Sequence, residues 1–273
     1  MYLGRFPRIA LAFAVLAGLA FIYIPLGVVI INSFNASKVF SWPPTRFTTR
    51  WWSAALDNEG VRAALLTSVK AGLGATLIAL LLGTALSFAL VRYDFFGRST
   101  VNFLVVLPIS LPGIVTGIAL NTSFTTLLQP FGINLGLFTV VLGHATFCIV
   151  VVFNNVSARL RRMGTSLEEA SSDLGASMFQ TFFHVTLPQL RSAIVAGALL
   201  AFALSFDEIV VTTFTSGPGV QTLPQWIFNN LFRPNQGPIV NAVAALLLIV
   251  FVLPVWLAER MSGSESRGTA GRL

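Results

Sequence analysis

Six long apolar runs are the feature that most limits how this chain can fold. A helix needs roughly 20 mainly apolar residues to cross a bilayer, and each run is near or above that length. The six candidate spans are residues 9–31, 65–91, 101–128, 136–156, 192–214 and 238–258. The pattern predicts an all-α, polytopic membrane protein with a single transmembrane domain over residues 1–273, because lipid requires every backbone polar group to be paired internally.

The composition supports this class. The chain is 55% hydrophobic and only 10% charged, with a mean hydropathy of +0.81, whereas soluble domains carry about 25% charged residues. The first run follows Arg5 and Arg8 and exceeds the roughly 7–15 apolar residues of a cleavable signal peptide, so we expect a first transmembrane helix. Pro108 and Pro112 are expected to kink or break the third span. The Gly-, Ser- and Arg-rich tail, residues 261–273, is expected to be disordered.

The basic residues predict an orientation. With the N-terminus inside, eleven of the seventeen Lys and Arg residues lie in cytoplasmic segments and six on the outer side. The positive-inside rule therefore predicts that both termini are cytoplasmic. The net charge of +7 is spread between apolar runs, which favours membrane topology over nucleic-acid binding as its explanation.

The longest predicted cytoplasmic loop covers residues 159–190 and has the pattern of two short helices. Ser166 and Glu169 have capping-box spacing at the start of the first helix. Gly175 follows that helix at the position where a left-handed C′ glycine is usual.

The second helix of this loop is predicted over residues 178–187. Ser177 and Gln180 form another possible capping box, and Pro188 is expected to stop the helix. Its apolar residues are Met178, Phe179, Phe182, Phe183 and Val185. So short a loop cannot bury this surface alone, so we expect it to lie against the membrane base, the lipid headgroups or a partner protein.

The spacing of the loop residues resembles the EAA loop of permease subunits of bacterial ABC importers. The matching residues are Glu169, Ala170, Gly175, Leu187 and Pro188. Two positions depart from the pattern, with Ser171 for the second Ala and Val185 for the usual Ile. The Leu82-Gly83-Thr84 region and the turn from Arg92 to Gly97 also resemble this family.

The resemblance implies a type I ABC importer permease fold and a multi-pass location in the bacterial inner membrane. It implies an ATPase subunit dimer docked on the five matching loop residues, a second permease subunit and a periplasmic substrate-binding protein as partners. Glu169 is then either a contact to the ATPase or a cap within the loop. The chain has no Gly-x-x-x-x-Gly-Lys-Ser/Thr loop, so ATP hydrolysis is expected on a partner chain.

The fifth span contains two adjacent acids, Asp207 and Glu208. A central Asp costs about 2.5–3.5 kcal/mol on insertion scales, so such residues are candidates for function. In a continuous helix, Ser205, Glu208, Thr212 and Thr215 share one face that could line a water-filled path. The alternative is a structural pair with an Arg at a subunit interface.

Acidic groups in a pathway favour a cationic cargo. The segment also resembles the spermidine/putrescine branch of these permeases, which implies a polyamine substrate. 4-Aminobutyrate and opine-like compounds stay open as alternative cargoes. A secondary transporter driven by an ion gradient through Asp207 and Glu208 is the alternative mechanism, although no inverted repeat is visible.

The remaining polar candidates indicate no enzyme, metal or cofactor. Cys148 lies in an apolar run and is expected to be a small core residue. His144 is expected to be packed or hydrogen-bonded rather than a proton relay. His184 is expected to be at the surface or in contact with a partner rather than catalytic. No catalytic constellation accompanies the two acids.

Overall fold

The computed structural model describes residues 4–38 and 42–252. The α-helices in chain order are α1 (Arg5–Ser33), α2 (Arg50–Asp57), α3 (Glu59–Arg92), α4 (Arg98–Ser110), α5 (Gly113–Leu127), α6 (Leu137–Met163), α7 (Ser166–Asp173), α8 (Met178–Thr181), α9 (Leu187–Phe206), α10 (Val210–Thr215), α11 (Leu223–Leu231) and α12 (Gly237–Val252). A 3₁₀ turn covers Gln129–Phe131 and a π-helical turn covers Phe182–Thr186. Within the described ranges, the extended structure is a single bridge between Asn35 and Phe47, so the all-α prediction is confirmed there.

Four helices in the described ranges are long and apolar enough to cross a membrane: α1, α3, α6 and the continuous helix Met178–Phe206. The bent pair α4 and α5 counts as a fifth span if taken together. The sixth predicted run contains α12, and its last residues, 253–258, lie outside the described residues with the predicted tail, 261–273.

The third predicted span is broken. Helix α4 contains Pro108 and ends at Ser110, and α5 begins at Gly113 with a bend of 108° between the two. Pro112 explains the position of the break, because it lacks an N–H and forces the preceding Leu111 into extended backbone (φ −82°, ψ 144°).

The chain divides into two compact units, Met1–Arg62 with Ile227–Leu273, and Ala63–Trp226. In the first unit, the buried Trp51 of α2 donates its indole N–H to the backbone oxygen of Asn35 at 2.8 Å. The second unit contains most of α3, together with α4 to α10.

Small side chains let the helices of the second unit approach closely. A Cβ on Gly83 of α3 would lie 2.9 Å from the backbone oxygen of Ile149 on α6. A Cβ on Gly197 of α9 would lie 3.3 Å from Cα of Val152, also on α6. Such contacts are typical of helix pairs in membranes, where tight packing replaces the hydrophobic driving force. Cys148 is buried in this core, as expected, and donates its S–H to the carbonyl of Ala201 at 3.3 Å.

Pro188 does not stop the helix, which corrects the sequence expectation. The chain runs as one helix from Met178 to Phe206. Just before the proline, the π-helical turn Phe182–Thr186 widens the helix, and the N–H of Leu187 reaches back five residues to Phe182. The wider turn accommodates a residue that has no N–H and would clash with the carbonyl four residues earlier.

Candidate functional site

The first short helix of the 159–190 loop ends at Gly175, as predicted. Gly175 adopts a left-handed conformation (φ +82°) directly after α7. Its N–H bonds to the carbonyl of Ser172 at 2.9 Å, and the N–H of Ala176 bonds to that of Ser171 at 3.1 Å. This pair of bonds is a Schellman motif, which a residue with a side chain adopts only with strain.

The predicted capping box at Ser166 is wrong. The N-cap of α7 is Thr165, without a side-chain cap bond, and Ser166 is already the first helical residue. Glu169 therefore lies one position further into the helix than a capping box needs. Its side chain is exposed to solvent, and its contact to a partner stays a prediction.

The second capping box is confirmed. The N–H of Gln180 donates to the Ser177 hydroxyl at 3.4 Å, and the N–H of Ser177 donates to the Gln180 side-chain oxygen at 2.8 Å. Ser171, which departs from the family pattern, lies with its hydroxyl 3.0 Å from that of Thr181. Ser171 thus connects α7 to α8.

Four large apolar side chains of the loop are left exposed, whereas Phe182 and Val185 are partly buried. Leu174 is 90% exposed, Met178 76%, Phe179 77% and Phe183 56%. Exposed apolar side chains grouped within one short loop are of the kind that marks a binding site for another molecule. We call this surface, made by these four residues, the loop apolar surface.

The anchor of the loop is Glu168, which the sequence reasoning missed. Its carboxylate lies 3.1 Å from a guanidinium nitrogen of Arg92, the last residue of α3, and accepts the Thr186 hydroxyl at 3.2 Å. The same nitrogen of Arg92 donates to the carbonyl of Gly164 at 2.9 Å. Both charged side chains are largely buried, at 13% and 22% exposed for Arg92 and Glu168. The sequence alone does not show which of the adjacent acids Glu168 and Glu169 binds Arg92, because that depends on the end of α3 lying beside α7.

The fifth predicted span is also broken. The expectation of a continuous helix through Ser205, Glu208, Thr212 and Thr215 is therefore wrong. Helix α9 ends at Phe206 and the short helix α10 begins at Val210, with residues 207–209 between them. We call these three residues the 207–209 break. The expected stripe of Ser205, Glu208, Thr212 and Thr215 does not form one helical face, because the helical register is lost in the middle of it.

His144 bridges the two sides of the break. Its Nδ1 lies 2.7 Å from the hydroxyl of Ser205 at the end of α9, and its Nε2 lies 2.8 Å from the hydroxyl of Thr212 on α10. All three side chains are buried. Ser205 and Thr212, both expected to line a path, therefore face the protein interior in this chain. His144 is hydrogen-bonded, as predicted.

Two further side chains hold the helix that follows the break. The side-chain amide of Asn121 on α5 donates to the backbone carbonyl of Phe214 at 2.6 Å. The hydroxyl of Thr139 on α6 donates to the backbone carbonyl of Thr215 at 2.7 Å. The carbonyls at the C-terminal end of α10, which the helix itself cannot satisfy, are thus paired by neighbouring helices.

The two acids occupy the break itself. Asp207 is exposed, and its carboxylate makes no hydrogen bond to any residue in the described ranges. Glu208 is half-buried and accepts the N–H of Val211 at 2.8 Å, which caps the first turn of α10. Asp207 is therefore the exposed acid of the break, whereas Glu208 holds the start of α10 in place.

Two kinds of comparison agree on the class of protein, and a third bears on the fold. The profile of the family described as "Binding-protein-dependent transport system inner membrane component" matches residues 75–261, more than half of the chain. The putrescine transport system permease protein PotI of Escherichia coli (strain K12) is 38% identical over 237 residues, covering 85% of this chain and 83% of PotI.

The spermidine/putrescine transport system permease protein PotC of the same strain is 33% identical over 253 residues, covering 92% of this chain and 93% of PotC. Among solved structures, a bacterial ABC transporter involved in the import of the acidic polysaccharide alginate has a chain with a TM-score of 0.70. That likeness covers 96% of this chain and 99% of the other at 16% identity, and it concerns the fold alone. On the family profile and these relatives, the chain belongs to the family of binding-protein-dependent transport system inner membrane components.

Proposed function

We propose that this chain forms part of the membrane pathway of an ATP-driven importer for a polyamine, putrescine or spermidine, or a closely related cationic amino compound. Membership of the family makes the chain a multi-pass, non-catalytic membrane subunit. Such a subunit works with an ATPase, a binding protein and a second permease subunit, and ATP is hydrolysed on the ATPase.

The observation that carries the cargo proposal is the 207–209 break. A broken transmembrane helix is tolerated where its freed backbone is buried in protein or lines an aqueous cavity, and such breaks commonly accompany binding sites in transporters. The exposed Asp207 and the half-buried Glu208 supply negative charge at this point. An alkyl diamine carries a cationic group at each end, so it is complementary to carboxylates. The names of the similar proteins PotI and PotC support the same class of cargo.

The loop apolar surface is proposed as the ATPase contact. In this proposal Glu169, Ala170 and Gly175 face the partner. Leu187 and Pro188 connect the loop to α9. Support comes from the exposure of Leu174, Phe179 and Glu169. The proposal places the loop and both termini in the cytoplasm, and the distribution of eleven inner and six outer basic residues supports that orientation.

Uptake by the reconstituted importer tests the cargo. The complex of this chain with its ATPase and second permease is placed in proteoliposomes with its binding protein, and uptake of labelled putrescine is followed. Asp207→Asn and Glu208→Gln remove charge while keeping size, and the Gln retains an oxygen to cap Val211. Loss of a charge-assisted hydrogen bond is worth about 1.5–3 kcal/mol, so we expect half-maximal uptake to need roughly 10- to 150-fold more putrescine.

The control is Glu59→Gln, which neutralises an exposed carboxylate at the start of α3 and should leave uptake unchanged. Co-purification of the ATPase with each variant establishes assembly. The cargo proposal is wrong if the wild-type complex imports 4-aminobutyrate in preference to putrescine. It is also wrong if the assembled double variant imports putrescine as well as the wild type does.

A further inference from the structure

The Arg92–Glu168 pair joins the end of α3, the end of α6, the start of α7 and the π-helical turn inside the Met178–Phe206 helix. Arg92 is the last residue of α3, Glu168 lies in the first turn of α7, Gly164 follows α6, and Thr186 immediately precedes α9. The bonds among these residues are 2.9 Å from Arg92 to Gly164, 3.1 Å from Arg92 to Glu168 and 3.2 Å from Thr186 to Glu168. We call these four residues the anchor cluster.

From this geometry we propose that the anchor cluster is the link that passes movement of α7 to the membrane helices α3 and α9, with Arg92 and Glu168 as its positioning residues. The inference rests on the proposed docking of the ATPase on the 159–190 loop. The ATPase would bind the exposed side of α7, and the largely buried side chain of Glu168 lies in the first turn of the same helix.

The contacts favour a connection that moves as one body. The ion pair is largely shielded from water, so it is screened far less than a surface pair. One guanidinium nitrogen serves both an acid and a carbonyl, whereas a lysine would be a mobile point charge. A second contact follows the same route, because the rings of Phe88 on α3 and Phe182 in the π-helical turn meet edge to face with centroids 5.5 Å apart.

Two features indicate that the arrangement serves more than stability. The Nε of Arg92 is buried without a hydrogen-bond partner in the described ranges, which is unfavourable and calls for an explanation. The π-helical turn Phe182–Thr186 directly precedes α9 and carries Thr186, whose hydroxyl reaches Glu168. Such turns occur frequently at functional sites.

From the anchor cluster, the two membrane helices lead in different directions. Helix α3 runs from Arg92 along the core, where it packs against α6 at Gly83. Helix α9 runs from Leu187 to Phe206, where the 207–209 break begins. A displacement of α7 would therefore reach both the core packing and the break through Glu168.

The test measures whether ATP binding still moves the break. A cysteine at the exposed Thr213 of α10 is introduced, since the native Cys148 is buried. Labelling by a water-soluble maleimide is compared before and after trapping the complex with ATP and vanadate. We expect trapping to change the labelling rate at least fivefold in the wild-type background, and less than twofold in Arg92→Gln or Glu168→Gln, with the ATPase still bound.

The reversed pair Arg92→Glu with Glu168→Arg restores the ion pair but not the bond to Gly164. It should therefore recover part of the change that each single variant loses, as coupling between two interacting residues predicts. Thr186→Val serves as a milder variant if a charge variant fails to fold, and we expect it to halve the change. The matched control is Asp94→Asn, which breaks the exposed Arg98–Asp94 pair in the next turn and should alter nothing.

The proposal is wrong if the cysteine at position 213 is labelled at the wild-type rate in Arg92→Gln and Glu168→Gln, both before and after trapping. It is also wrong if their only defect is loss of the ATPase, because the cluster then merely shapes the docking surface. Labelling does not depend on the cargo, so a failure to import putrescine would count against the proposed function and leave this result intact.

Discussion

The 159–190 loop and the 207–209 break carry the two halves of the proposed mechanism, and they are built in opposite ways. The turn between the two short helices of the loop is shaped by bonds between near neighbours, namely the Schellman bonds around Gly175 and the box between Ser177 and Gln180. The break is held by residues far away in sequence, since His144 lies 61 and 68 positions from Ser205 and Thr212. A local motif can be recognised in one sequence, whereas a distant clamp cannot.

The largest effect is expected from removing the clamp of the break. His144→Ala deletes two buried hydrogen bonds and leaves a cavity between α6, α9 and α10. Such bonds in membrane proteins average about 0.6 kcal/mol each, and the cavity adds more, so we expect a loss of roughly 2–4 kcal/mol. The measurement is the temperature at which the detergent-purified chain loses its monodisperse elution.

His184→Ala is the control for this variant. His184 is exposed in the loop and bonds only to the nearby carbonyl of Gln180 at 3.0 Å among the residues described. If both histidine variants lose monodisperse elution at the same temperature as the wild type, His144 does not hold the break.

These two regions also show how far sequence reasoning reached. Gly175 and the Ser177 box were predictable because the residues that form each motif lie within five positions of one another. The break was missed because Asp207, Glu208 and Ile209 include neither Pro nor Gly, and its cause lies in neighbouring helices. The choice between Glu168 and Glu169 depended on Arg92, 76 positions away.

Proline gave mixed guidance for a physical reason. Pro112 breaks the third span, as predicted, whereas Pro188 lies within a continuous helix. The difference is the π-helical turn Phe182–Thr186, which accommodates Pro188 without ending the helix. Since the widened turn is stabilised by tertiary contacts such as Thr186 to Glu168, the local rule for proline could not foresee it.

An intermediate effect is expected at the local motif of the loop. Gly175→Val places a β-branched residue at φ +82°, although a Cβ there would meet no other atom within 4 Å. The strain is therefore purely conformational, about 1–2 kcal/mol, and we expect affinity for the ATPase to fall roughly 5- to 30-fold. Binding of the purified ATPase to the chain in nanodiscs measures it.

Gly175→Asn separates backbone strain from side-chain bulk. Asparagine enters the left-handed region readily, so this variant should bind the ATPase within about twofold of the wild type. Equal binding by the Val and Asn variants would show that the turn at Gly175 does not position the docking surface.

The smallest effect is expected at the capping box. Ser177→Ala removes the hydroxyl that receives the N–H of Gln180 and should cost about 0.5–1 kcal/mol of local helix stability. We expect amide hydrogen exchange in residues 178–181 to accelerate about two- to fivefold. Ser172→Ala is the matched control, because its hydroxyl bonds within α7 to the carbonyl of Glu168. Unchanged amide exchange in residues 178–181 of Ser177→Ala would show that the Ser177 hydroxyl does not stabilise the start of α8.

Site-specific photocrosslinking tests the central claim, that the 159–190 loop docks the ATPase, most directly. A photoreactive residue is placed at Phe179 on the loop apolar surface, and at the exposed Phe21 on α1 as a control. After irradiation of the assembled complex, the account predicts a crosslink from position 179 to the ATPase and none from position 21. Crosslinks from position 179 to lipid alone, in a complex that still hydrolyses ATP and imports its cargo, would contradict it.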